Sequence, residues 1–220
     1  MGIILSKSNE KNPKSMAESY FEFLKENMEI NNKIVHVEAD LGLSILGFNM
    51  MTIMQTFSEQ WIECGIQEAN AVGVAAGLSA TGRIPFVHSF APFISRRACD
   101  QVFISGGYSK SNIKLIGSDP GIMAAFNGGT HMPFEDIAIM RSIPEMTIVE
   151  PSDPVIAKEL FKDVAKKDGM VYIRYARKNV AKLYEEGSTF TIGKGNVIKE
   201  GIDLTIIASG VMVEEGIKAV

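Results

Sequence analysis

The chain is predicted to fold as an α/β protein: a mostly parallel sheet with helices on both faces, followed by the start of a second α/β domain. Two features predict this. Short apolar, β-rich runs alternate with segments of helical periodicity through most of the 220 residues. The strand runs, such as "IPFVHSF" and "IKLIGSD", are apolar at most positions, which suits strands covered on both sides.

The elements follow in order. Residues 13–29, "PKSMAESYFEFLKENME", put Met16, Tyr20, Phe21, Phe23, Leu24 and Met28 at helical spacing. Ser15 is the expected cap, and Glu18 three residues later completes a capping box. "KIVHVEAD" (33–40) reads as a strand that ends in an acid. Residues 66–80 read as a buried helix, 84–90 as a strand and 95–109 as a helix. Strand 113–119 runs into a Gly-rich loop, and helix 134–143 and strand 146–153 follow it. Helix 154–167 has Pro in its first turn and Lys in its last, and 170–177 is a strand. Ligands of such sheets gather at the carboxyl ends of strands, so function is expected in loops 39–47, 88–94, 117–133 and 175–180.

The domain boundaries are read as an extension over 1–12, one domain over 13–180, a polar Gly-punctuated linker over 181–202, and the first strand and helix of a further domain over 203–220. A lone strand–helix pair cannot bury its own apolar face, so the sequence reads as part of a longer chain.

Apolar residues make up 46% and charged residues 22%, an ordinary globular composition. The net charge of −4, without a basic block, argues against nucleic acid as the main partner. No apolar run reaches the length of a signal-peptide core or a membrane span. Cys64 and Cys99 form no CxxC pair, so free thiols in a reducing cytoplasm are the plain reading.

Four groups of residues carry possible chemistry. Glu68 is the only charged residue between Cys64 and Gly82. An isolated carboxyl there would be expected to shift towards its neutral form and share a proton with a ligand. It could instead cap the helix start or pair with a buried Arg. Ala69, Gly73 and Gly77 at i, i+4 and i+8 leave one helix face bare. His131, in "GGTHMPFED", lies on an irregular loop before a helix and could act on substrate or cap that helix. His36 reads as structural, and His88 could go either way. Phe90 and Phe93 bracket Ala-Pro on a strand-to-helix loop, where they could be core or could stack on a planar ligand. Arg96, Arg97, Arg174 and Arg177 could hold a phosphate or carboxylate, although surface pairing is the more ordinary role. No cluster has metal-ligand spacing, and there is neither a GxGxxG nor a Walker loop.

In order, Ala39-Asp40-Leu41, "GIQEANAVGVAAGL", "PFVHSFAPFISRRACDQV", "GSDPG", "NGGTHMPFEDIAIMRSIPEMTIVEPSD" and "RYARKN" resemble the pyrimidine-binding domain of transketolase over about residues 13–180. The resemblance implies the C-terminal subunit of a split transketolase. It implies thiamine diphosphate with Mg2+, the diphosphate and metal being held mainly by a separate N-terminal subunit, because this sequence contains no GDG…N segment. The reaction implied is transfer of a two-carbon ketol unit between sugar phosphates.

On this resemblance Glu68 contacts the ring nitrogen of the aminopyrimidine, Phe90 and Phe93 surround that ring, and Asp40 is an acid near the cofactor. His131 contacts substrate oxygens and shuttles protons. Ser44 and Arg177 bind the sugar phosphate, Arg97 is a further candidate anion holder, and Asn127 contacts a donor hydroxyl. A heterotetramer with self-association is expected, with the bare face of Ala69, Gly73 and Gly77 at a subunit contact.

Some positions depart from the family pattern. Asn127 replaces a common Asp, Gly129 a frequent Pro and Asp119 a usual His, and Lys14 stands near an expected phosphate-binding Arg. An altered donor, an unusual ketose phosphate or a deoxyxylulose-phosphate synthase-like reaction, is therefore the second reading. A non-catalytic assembly subunit is the third, and the presence of both Glu68 and His131 argues against it.

Overall fold

The computed structural model describes residues 2–7, 10–42 and 48–220, with the side chains of Phe48 and Asn49 left out. Its centre is a six-stranded, wholly parallel sheet. The strands are β1 (Ile34–Glu38), β2 (Trp61–Glu63), β3 (Ile84–Phe90), β4 (Lys114–Ser118), β5 (Thr147–Val149) and β6 (Val171–Tyr175), in the order β2-β1-β3-β4-β6-β5. The helices are α1 (Met16–Met28), α2 (Phe48–Thr56), α3 (Glu68–Ala80), α4 (Asp136–Arg141), α5 (Pro154–Lys166) and α6 (Met212–Ala219). The α/β prediction is met.

Both faces of the sheet are covered, as its apolar strands require. Strand alternation sends His36, Glu38, Phe86, His88, Ile116, Ile173 and Tyr175 to the face under α1 and α5. Val35, Val37, Val87, Leu115 and Tyr172 point the other way, towards α3 and the segment after β3. Each fully buried Phe or Leu of α1 stabilises the fold by about 1.5–3 kcal/mol. The capping box of α1 forms as expected: Glu18 N donates to Ser15 Oγ, and Ser15 N donates to the Glu18 carboxylate at 2.7 Å. The N-cap of α5 is Asp153, which also accepts the amides of Leu183 and Tyr184 and so ties the linker to the domain.

The predicted helix at 95–109 is a succession of short helical pieces. Wide π-type turns run over Phe93–Arg97 and Val102–Tyr108, with a single α-turn between them. Helix α2 and strand β2 are absent from the sequence reading. Met50, Ile53, Met54 and Phe57 carry a short helical period that turns one face of α2 into the core, and β2 is only three residues long. Leu5 and Lys11 form isolated antiparallel bridges with Tyr184 and Ala181 of the linker.

The strand expected at "IDLTIIASG" does not form. Ile202, Leu204 and Ile207 stay exposed and meet no neighbouring strand, and only α6 follows as predicted. Among the described residues no helix is long and apolar enough to cross a membrane. Cys64 and Cys99 are free thiols.

Candidate active site

The site is built at the carboxyl ends of β1, β3, β4 and β6. Phe90 closes β3 and Phe93 opens the first wide turn, so their rings meet edge to face at 5.9 Å and 86°. The His131 ring packs against both, at 5.2 Å from Phe90 and 5.0 Å from Phe93. A cation lies over each phenyl ring: the Arg97 guanidinium 4.4 Å above Phe93 and the Arg177 guanidinium 5.2 Å from Phe90. Arg177 is in turn paired with Asp119. Glu68 joins the group through Arg97.

Glu68 is the first residue of α3, with only 1% of its surface exposed. The isolated carboxyl expected from the sequence is not what forms. Ser89 Oγ donates to Oε1 at 2.7 Å, and Arg97 Nη1 donates to Oε2 at 2.6 Å. Burial without a partner would cost several kcal/mol, and a guanidinium one turn into the neighbouring segment removes that cost. The Arg97 side chain is 44% exposed, so one oxygen of a buried carboxylate is linked to a solvent-facing partner. The outer face of α3 is bare, as read: Gly73 and Gly77 are exposed, and a Cβ on either would meet nothing within 4 Å.

Asp119 is fully buried at φ 55°, a left-handed conformation that Asp tolerates. Its Oδ1 accepts the Arg177 amide at 3.0 Å, and its Oδ2 lies 2.8 Å from Arg177 Nη2. The other arginines take the ordinary pairing role: Arg174 faces Asp136 and Glu150, and Arg96 faces Glu135. His131 does not cap α4; its Nδ1 shares a hydrogen bond with Thr130 Oγ1 at 2.9 Å.

Asp40 lies on the turn after β1, exposed and at φ 56°, and its amide donates to Glu63 Oε1 at 2.9 Å. Asn127 ends an exposed turn on the 120–131 loop. Both occupy the carboxyl edge without joining the chain of side-chain contacts from Glu68 to Asp119. Ser44 lies outside the described residues.

Sequence reasoning missed a second buried acid. Glu38, at the end of β1, receives His36 Nε2 at 3.0 Å and His88 Nδ1 at 3.1 Å, and the amides of Ala39 and Leu41 donate to its Oε1. Burial alone would raise this carboxyl. The charge of His88 and the hydrogen bonds from both histidines outweigh burial and hold it well below the usual carboxylate range. Burial holds His36 below the usual histidine range. A neutral His36 donates from Nε2 to the acid and receives the Tyr20 hydroxyl at Nδ1, 2.9 Å away. These three side chains bring potential metal-ligand atoms within 4.8 Å of one another; hydrogen bonds to Glu38 occupy His36 Nε2 and His88 Nδ1, and His88 Nε2 is buried without a partner. The available signal was strand register, which sets Glu38 beside His88, with His36 two residues away on the same face.

Residues 12–182 match the family model described as transketolase, pyrimidine binding domain. The 6-deoxy-6-sulfo-D-fructose transketolase subunit SqwH of Clostridium sp. (strain MSTE9) is 44% identical over 93% of this chain and 62% of the relative. The putative transketolase C-terminal section of Methanocaldococcus jannaschii is 38% identical over 94% of this chain and 65% of the relative. A solved structure described as a split gene transketolase, inactive beta4 tetramer, superposes with a TM-score of 0.81 at 34% identity, covering 99% of this chain and 67% of the other. The chain thus spans somewhat under two thirds of the length of the two sequence relatives.

Proposed function

The chain belongs to the transketolase family, whose members bind thiamine diphosphate, and we propose that it is the pyrimidine-binding, C-terminal subunit of a split transketolase. The activity proposed is transfer of a two-carbon ketol unit from a ketose to an aldose, in a complex with a diphosphate-binding N-terminal subunit. The observation that carries this reading is Glu68: a buried carboxylate linked through Arg97 to the packed rings of Phe90, Phe93 and His131.

The donor set fits an aminopyrimidine. Phe90 and Phe93 offer apolar surfaces to a flat ring, and Glu68 offers an anionic acceptor held in place by Ser89. Bound thiamine diphosphate supplies the electron sink for cleavage of the carbon–carbon bond beside the ketose carbonyl. The chain's own groups do the rest. Glu68 would share one proton with the ring nitrogen: the protonated carboxyl gives it up and the resulting carboxylate accepts the N–H hydrogen bond, which favours the imino tautomer. His131, fixed between two phenyl rings, exchanges protons with the hydroxyl and carbonyl oxygens of the sugar. Arg177 holds an anionic group at the sugar's far end, and Asp40 and Asn127 border the same edge of the sheet. Mg2+ and the diphosphate are assigned to the partner subunit, and the assembly proposed is a heterotetramer with the bare face of α3 at a subunit contact.

The test is ketol transfer by the complex of this chain with its N-terminal subunit. Glu68→Ala is expected to lose at least about 100-fold in kcat, with secondary structure by circular dichroism unchanged. Full activity in that variant would refute the assignment.

A further inference from the structure

We propose that Asp119 tunes the Arg177 site to prefer a singly charged sulfonate over a doubly charged phosphate at the far end of the donor sugar. This rests on the reading above of Arg177 as the residue that holds an anion in a ketol transferase. The geometry around Arg177 is unusual for a residue that takes a dianion. Asp119 is fully buried; its Oδ1 accepts the Arg177 amide at 3.0 Å, and its Oδ2 is ion-paired with Nη2 at 2.8 Å without hydrogen-bond geometry. Its carboxylate cannot turn away to water, so a negative charge is fixed against the back of the guanidinium.

A guanidinium has five N–H donors arranged as two forks that share Nη2, Nε with Nη2 and Nη1 with Nη2, so a partner at one hydrogen of Nη2 takes up one fork and leaves the other. The site therefore keeps the hydrogen-bonding fork that recognises a tetrahedral oxyanion, while the pair carries no net charge. A sulfonate and a phosphate ester present the same three acceptor oxygens. They differ in charge: a sulfonate carries one negative charge at every working pH, whereas a phosphate ester carries about −1.5 to −2 at pH 7. The additional charge falls close to a buried carboxylate at a partly desolvated site, where it is penalised most.

The nearby cations do not offset this. Lys14 is paired with Glu22 at 2.7 Å, and the Lys178 ammonium sits 4.8 Å over the exposed ring of Phe126. An independent observation points the same way: the relative that is 44% identical to this chain is named for a 6-sulfonated ketose.

The experiment uses the complex with the N-terminal subunit and compares 6-deoxy-6-sulfo-D-fructose with D-fructose 6-phosphate as donors for one common acceptor, with an uncharged short ketose as a third donor. The sulfonate is expected to lead in kcat/KM by roughly 10-fold at pH 7.5, mainly through KM. Asp119→Asn keeps an acceptor for the Arg177 amide and tolerates the left-handed backbone, but removes the charge. It should cut that lead at least about 5-fold.

A pH series on the unaltered complex tests charge without any substitution. As pH falls from about 8 to 5.5 the phosphate takes up its second proton, near pH 6, and the lead should shrink. Among the described residues, Arg177 is paired with Asp119, both act electrostatically on the Tyr175 hydroxyl, and His131 lies across the Phe90 ring from Arg177. Protein groups that act on both donors alike cancel in the ratio. Equal use of the two donors, or a lead that neither pH nor Asp119→Asn moves, would overturn the inference. If Asp119→Asn does not fold, the pH series alone decides it. Transfer from the uncharged ketose without discrimination between the charged donors refutes the role of Asp119 alone. No transfer from any donor refutes the ketol-transferase reading and this inference with it.

Discussion

The two faces of the sheet each bury a glutamate, and the two sites are built in opposite ways. Under α1, Glu38 is a closed circuit. Two imidazoles and two backbone amides use its acceptor positions, and each of those donors is buried or fixed by the chain. Under α3, Glu68 is an open one. Ser89 fixes one oxygen, but the other is held by an arginine whose side chain is 44% exposed. The contrast separates a carboxylate that organises structure from one that can exchange partners. Burial alone does not distinguish them, since both residues are almost completely enclosed. What distinguishes them is whether the partner can leave.

The largest effect is therefore expected at Glu38. Glu38→Ala leaves His36 and His88 facing each other in the core without an acceptor and strips the turn at 39–41 of its anchor, at a cost of about 3–5 kcal/mol. Urea denaturation of the chain measures this directly. Glu68→Ala should cost less than about 2 kcal/mol in the same measurement, because Arg97 can turn to water and only the Ser89 hydroxyl loses a buried partner. Equal losses for the two variants would erase the distinction and make Glu68 a structural residue too.

How much of this was legible beforehand follows the same division. Glu68 stood out because nothing else in its stretch is charged, and Phe90, Phe93, His131 and Arg177 stood out by falling on loops at strand ends. The structure brings all five to one edge of the sheet. Local patterns also carried most of the fold, including the Ser15 capping box and the Pro-led α5. Long-range pairing was not legible. His36 and His88 are 52 positions apart in sequence, and only the β1–β3 register shows that both reach Glu38. The Arg97–Glu68 pair was likewise hidden, since the side-chain reach of Arg97 depends on π-type turns that hydrophobic periodicity does not reveal. The strand expected near 203 failed for the converse reason: a good local β pattern does not form a strand without a neighbour to pair with.

The smallest expected effect sharpens the comparison at the other end of the Glu38 face. Lys114 opens β4, fully buried, and its ammonium donates to Asn112 Oδ1 and to the carbonyls of Lys167 and Gly169. It is a closed circuit like Glu38, but its acceptors are neutral carbonyls in place of charged partners, and burial pulls its pKa down to about 8. The sign of the pH dependence follows from that depression. Between about pH 8 and 10.5 the unfolded chain holds a proton that folded Lys114 has lost, so this group makes the fold more stable as pH rises through the window and contributes no slope below it. Tyr20 and Tyr172, raised first of all by burial, act in the opposite direction above pH 10. A comparison with Lys114→Met over pH 7.5–10 isolates the lysine, because the tyrosines are common to both proteins. The stability of the unaltered chain should gain on that of the variant by about 1–3 kcal/mol across the window. A constant difference would mean that the three carbonyl acceptors hold the ammonium charged as firmly as water does, and that neutral partners close a buried site as completely as the two histidines close Glu38.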